Sequence, residues 1–313
     1  MMRRDMTNED IKYVYKREVP GTGLGVDVSG CKTTADVLKT AGLNWTVHTE
    51  KAFLNDGSEV PDARIVRRDL DGRQLGIVSP RYVPCQNEAA IAFTDNLIND
   101  GLEFLRAGSF RGGKSIWMMG KFQDRRNLFG DPIDQYIVIT NSHDGSSSIR
   151  AAIIPIRIAC SNALNMAFRK ARFFWFCRHT GSLEGRLQEA QETLQLAGTY
   201  MDVFQEEMKN LNEIVLSPDQ VKEHIIDLIP MPENPTKRIR DGINERRLEL
   251  SDRFYHAEDL QDMPSTAYRF INAVSDYATH GKPKRKTSGY AETLFEKTVY
   301  GHPMLRDAMK KFA

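Results

Sequence analysis

The chain has 313 residues, 41% of them hydrophobic and 27% charged, and a net charge of +1. That is enough apolar material for a large core, and the balance is that of an ordinary globular protein. A transmembrane helix is excluded because no run of about 18 apolar residues exists, and Met1-Met2-Arg3-Arg4-Asp5 lacks the apolar stretch of a secretion signal.

Residues 1–30 are polar and read as a lead-in. Thr33 caps a short amphipathic run that ends at Gly42. Residues 45–48 and 63–67 alternate as strands around Asn55-Asp56-Gly57, and the turn Asp71-Gly72 leads into a strand at 74–78. Residues 87–99 read as one helix, with Ala89, Ala90, Phe93, Leu97 and Ile98 on one stripe. Strands are expected near 102–110, 115–122, 136–140 and 149–159. Their glycine-centred connections, Arg111-Gly112-Gly113-Lys114 and Asp144-Gly145, favour antiparallel hairpins. Residues 125–132 are expected to be a mobile loop, and Ser161 is the expected cap of a helix over 162–175. The expected fold class is α+β: an antiparallel sheet of consecutive hairpins bracketed by two helices, followed by a mainly helical region.

After Gly181 the periodicity changes. Leu183, Leu187, Ala190, Leu194, Ala197, Met201, Phe204, Met208 and Leu211 form an apolar seam at heptad spacing, either packed on the chain's own core or against a second copy. Ser217-Pro218 opens a helix, residues 230–235 form a proline-rich linker, and helices follow at about 236–256, 266–279 and 303–312. Two domains are expected, 1–180 as the α+β core with its lead-in and 181–313 as the helical region.

The four cysteines, Cys31, Cys85, Cys160 and Cys177, form no C-x-x-C pair and have no metal spacing. Reduced thiols in a cytoplasmic protein are therefore expected. No metal or other cofactor is expected, since the histidines also lack ligand spacing. His143-Asp144 are weak catalytic candidates as an imidazole–carboxylate pair. They are adjacent, however, in a Ser/Gly-rich turn that reads equally as a hairpin connection. Arg111-Gly112-Gly113-Lys114 resembles a phosphate-binding fragment without the full P-loop spacing. Arg150 and Arg157, seven residues apart, fall on opposite faces of a strand, and Arg157, among apolar residues, needs a polar partner.

Charge is unevenly distributed: residues 81–180 carry +5, 181–265 carry −9 and 266–313 carry +5. A polyanion would therefore meet the central and C-terminal segments. Arg169, Lys170, Arg172 and Arg178 are interleaved with Phe173, Phe174, Trp175 and Phe176, a mixture suited to single strands, where phosphates pair with cations and bases stack on rings. The aromatic residues fit a core equally well. The basic loop 282–286 is a further phosphate contact candidate or a solvated loop.

Several motifs together resemble a family. They are Leu75-Gly76-Ile77-Val78 with Tyr82 and Gln86-Asn87-Glu88; Ala107-Gly108-Ser109 with Gly112-Gly113-Lys114 and Trp117; Asn141-Ser142-His143-Asp144-Gly145-Ser146; the run from Pro155 to Leu164; and Arg178-His179-Thr180. Thr266-Ala267-Tyr268 and Asn272-Ala273-Val274 to His280 also fit. The chain resembles, over about residues 20–310, the phage/plasmid-related proteins grouped as domain of unknown function 932. Cys85 and Ala163 depart from that pattern, where valine and threonine are usual. The resemblance implies a viral or mobile-element origin in a bacterial host and supplies no activity. The expected element order is also similar to the core of phage single-strand annealing proteins, an analogy of fold order.

The leading expectation is a protein that binds single-stranded DNA and assists annealing or recombination as a homo-oligomer, without a membrane. Arg111, Lys114, Arg125, Arg126, Arg169, Arg172 and Lys284 are the expected phosphate contacts, with Phe173 and Trp175 as stacking residues. The alternatives are an enzyme acting on nucleic acid or nucleotide through His143-Asp144, and a phage protein that binds and modulates a host protein.

Overall fold

The computed structural model describes residues 23–312 except 93, 99–100, 158–161, 164–173, 182–184, 186–188, 190–196, 282–286 and 288. In chain order the elements are β1 (Val26–Asp27), α1 (Thr34–Thr40), β2 (Val47–Phe53), β3 (Glu59–Arg68), β4 (Gln74–Val78), α2 (Asn87–Ala92), α3 (Asp95–Ile98), β5 (Leu102–Phe110), β6 (Ser115–Leu128), β7 (Asp131–Ser142), β8 (Ile149–Arg157), β9 (Asn162–Ala163) and β10 (Phe174–Cys177). Helices follow as α4 (Ala197–Glu213), α5 (Pro218–Leu228), α6 (Lys237–His256), α7 (Ala267–His280), α8 (Tyr290–Tyr300) and α9 (Pro303–Met309). The large sheet runs β1-β5-β6-β7-β8-β10, with β9 also on β8, and the small sheet runs β2-β3-β4. Every pairing is antiparallel, so the α+β class with consecutive hairpins is the observed architecture.

Register divides the large sheet into two faces. Met118 lies opposite Ile139, and Trp175 opposite Ala151. These residues share a main core with Met201, Phe204, Met208 and Leu211 of α4 and with Phe270, Ile271 and Val274 of α7. On the other face Trp117, Met119, Val138 and Ile154 form a smaller cluster closed by Phe295 and Val299 of α8. Met201, Phe204, Met208 and Leu211 of the heptad seam are thus spent inside this chain, while Leu183, Leu187, Ala190 and Leu194 lie outside the described residues.

Local chemistry sets the element ends. Thr33 accepts from the Asp36 amide to start α1, Ser217 and Gln220 form a reciprocal capping box at α5, and Thr236 and Thr266 cap α6 and α7. The helix expected over 87–99 is instead two short pieces. Thr94 turns its hydroxyl onto the Ile91 carbonyl at 2.7 Å, and Asp95 is drawn to α1 by the Thr34 amide and hydroxyl at 2.8 and 2.7 Å. The loop expected at 125–132 is hairpin: after a register shift between Lys121 and Arg125, β6 and β7 stay paired to Leu128 opposite Asp131, and Phe129-Gly130, both at positive φ, make the turn. The helix expected over 162–175 is replaced at both ends by strand, since β9 and β10 each pair with β8. Residues 164–173 lie outside the described set, so no second bracketing helix is described there. Helix α8 was not expected, although Phe295, Thr298 and Val299 have the spacing of one buried stripe.

Candidate functional site

The Arg111–Lys114 tip is sharply bent. Arg111, Gly112 and Gly113 have φ of 49°, 70° and 97° in succession, a path that glycine takes without strain. The bend tucks the tip under the β3–β4 turn: a Cβ on Gly112 would stand 2.6 Å from the Arg73 guanidinium, and one on Gly113 2.8 Å from that of Arg68. Arg68 is held bidentately by Asp71 and lies over the Trp45 ring at 5.2 Å. Lys114 is half-buried, and its carbonyl accepts from the His143 amide at 2.7 Å.

His143 and Asp144 do not face each other. Asn87 donates its amide to the carbonyls of Leu43 and Trp45, so its oxygen accepts from His143 Nε2 at 2.8 Å. The imidazole is fully buried, and burial, with His179 nearby, pushes it down to about 4. Asp144 accepts from the Ser142 hydroxyl and the Ser146 amide at 2.8 and 2.9 Å, the geometry of a turn. Burial would raise the Asp144 carboxyl, but the Ser146 and Ser142 hydrogen bonds and the Arg111 charge hold it below its ordinary value. His143 is thus enclosed in the core, while Asp144 is half-buried. Among the described residues no three His, Cys, Asp or Glu side chains are grouped to hold a metal ion.

Three of the expected phosphate contacts are engaged by carboxylates. Arg111 binds Glu292 and Glu296 of α8 at 2.7 and 3.3 Å, Arg125 binds Asp134 at 2.8 Å, and Arg126 binds Asp202 of α4 at 3.0 Å. Arg169, Arg172, Phe173 and Lys284 lie outside the described residues. Trp175 is 7% exposed and packs in the main core, so its ring is not available to stack on a ligand. The physical reason is alternation: in a strand, Trp175 and Cys177 turn inward and Phe174 and Phe176 turn outward.

That alternation turns part of the basic aromatic cluster, Phe174, Phe176 and Arg178 in place of the expected Phe173 and Trp175, into a site together with Arg150. Phe174 and Phe176 stack on each other with centroids 5.5 Å apart and planes 18° from parallel, and Phe176 is 54% exposed. They line an open cleft of about 390 Å³ with Ser146, Ser147, Arg150 and Arg178. Arg150 is cross-strand from Phe176 and is propped 4.6 Å over the Tyr300 ring of α8. The Tyr300 hydroxyl is in turn anchored on Thr140. Neither Arg150 nor Arg178 has a carboxylate partner among the described residues. Two available guanidinium groups therefore flank an exposed aromatic step, beside a turn rich in hydroxyls. The signal for this site was present as Phe174-x-Phe176-x-Arg178, a period of two.

The family model described as Domain of unknown function (DUF932) matches residues 74–297, more than half of the chain, including both hairpins, β10 and most of α8. No curated protein and no solved structure matches the chain.

Proposed function

Since the chain belongs to the DUF932 family, a domain of unknown function, its activity has to be read from its own surface, and we propose that it binds single-stranded DNA across the β10 face. The observation that carries this reading is the stacked Phe174–Phe176 pair between Arg150 and Arg178, with Phe176 exposed and Phe174 half-buried beneath it. Flat rings accept any base, and guanidinium groups pair with phosphates whatever the sequence, so the preference is for strand form over base order. Duplex DNA hides its base faces and offers β10 only phosphates. Within this proposal the role is to assist strand annealing or recombination in a phage or other mobile element. Holding one strand by its backbone and base faces leaves pairing edges open, and self-association of the chain would extend the track.

The test is a binding titration with single- and double-stranded DNA of one sequence at several salt concentrations. Single strands should bind more tightly, with log affinity falling by about 0.7 per phosphate neutralised for each unit of log salt. Equal affinity for both forms, or no binding at low salt, defeats the reading.

A further inference from the structure

Resting on that reading, we infer a second phosphate subsite at the inner end of the same cleft, built on Arg111 and Ser115 and closed by the carboxylates of α8. A small cavity adjoins the open cleft and shares Ser146 and Ser147 with it. Its lining includes Arg111, Ser115, Glu296 and Tyr300. Ser115 is 8% exposed, and its hydroxyl has no hydrogen-bond partner. A buried hydroxyl left unpaired is uncommon and points to an absent partner. The Arg111 guanidinium, 42% exposed, faces the same space with its Nε on Glu292 and its Nη2 on Glu296.

Size decides what the cavity admits. At about 20 Å³ it accommodates one water and no phosphate. A phosphate enters only where Glu296 leaves, and Glu296 is free to leave, being 47% exposed and bound at the longer distance of 3.3 Å. The exchange conserves the interaction type: one oxyanion replaces another on the same guanidinium, and a phosphate adds a third oxygen within reach of the Ser115 and Ser147 hydroxyls. In the free protein α8 therefore supplies the anion that a strand later supplies. A strand long enough to reach from Arg178 to Arg111 competes with Glu292 and Glu296 for the last contact.

The experiment compares the full chain with the E292Q/E296Q variant, using a fluorescein-labelled oligothymidylate across a salt series, with a thermal melt of each protein. Removing the competing charges should tighten binding at least about two- to fivefold, the scale of the exposed Arg111–Glu296 pair that a phosphate must displace, and steepen the salt slope by about 0.7, one further phosphate. Adding Arg111→Gln to that variant should abolish both gains. Unchanged affinity and slope overturn the inference, and so does a lower melting temperature without tighter binding, which would make the carboxylates a clamp for α8. Should the double variant not fold, E296Q is read by the same criteria. If the wild type binds and Phe176→Ala weakens it while the carboxylate variants change nothing, the subsite alone fails. If neither wild type nor variant binds single strands, the β10 reading fails with it.

Discussion

Arg157 and Asp259, 102 residues apart in the chain, meet at 2.9 Å between guanidinium and carboxylate. The same guanidinium also binds Asp131 and donates to the Asp259 carbonyl at 2.9 Å, with only 2% of the Arg157 side chain exposed. Strand β8 is thereby fastened to the turn that precedes α7, and the polar partners that Arg157 required come from both β7 and the helical region.

Removing one member of a buried ion pair strands the other charge, which costs about 3–5 kcal/mol. Arg157→Met should therefore lower unfolding free energy by roughly that amount in urea denaturation. Arg157→Lys should recover little of it, because a point charge cannot bridge two carboxylates in fixed directions. A loss below about 1 kcal/mol for Arg157→Met, the worth of an exposed pair, would show that water already solvates these carboxylates.

Stability should fall with acid through His143. Its folded value lies near 4, below the unfolded value of about 6.5. Between these limits the unfolded chain takes up a proton that the fold refuses, so stability is fully present above about pH 6.5 and declines as pH drops toward 4. The displacement corresponds to something on the order of 3 kcal/mol. His179, also held low by burial, acts in the same direction. Thermal melts from neutral to mildly acidic pH should show a smaller acid-induced drop for His143→Gln than for wild type. Equal drops would assign the acid sensitivity elsewhere.

Substitutions along β10 should separate by parity. Phe176→Ala should weaken single-strand binding by about 1–3 kcal/mol, the value of one stacked base, and leave the fold nearly intact, because the ring is 54% exposed. Trp175→Ala should instead cost roughly 3–5 kcal/mol of stability, as for a large core side chain. Arg150→Gln with Arg178→Gln should flatten the salt slope by about 1.4, two phosphates' worth. A salt slope unmoved by that pair would place the strand on another face.

Gly76 is required for space and not for an unusual backbone angle. A Cβ there would stand 2.5 Å from Asp144 Cα, and a backbone atom cannot step aside as a side-chain tip can. Gly76→Ala should destabilise by about 1–3 kcal/mol, the range for forced overpacking. A neutral Gly76→Ala, measured by thermal or urea unfolding, would mean that β4 and the 142–148 turn move apart freely.

Much of the fold was legible because its signals are local. The strand at 74–78, the strand at 102–110 and the caps at Thr33 and Ser217 stand where period and cap chemistry put them. One misreading came from an aperiodic run. Phe173 to Phe176 is an unbroken aromatic run, and a short run without polar interruptions shows no period, so the cap signal at Ser161 suggested a helix where pairing with β8 makes a strand. The candidate site suffered most from distance in sequence. Arg111 is matched by carboxylates 181 and 185 residues away, and nothing in a hairpin motif announces such a partner. Arg150 and Phe176 become neighbours only through sheet register.

The alternation within β10 also fixes how that segment can vary. Its four residues are divided between half-buried Phe174 and exposed Phe176 on one face and core-facing Trp175 and Cys177 on the other, and inserting or deleting a single residue there would exchange the two sets. Trp175 would be carried into water and two phenylalanines driven into the space it leaves, so the recognition surface and the packing under it would be lost in one event. Length changes in β10 are therefore tolerable only in steps of two, and lineages descended from this sequence should show even-numbered indels there or none.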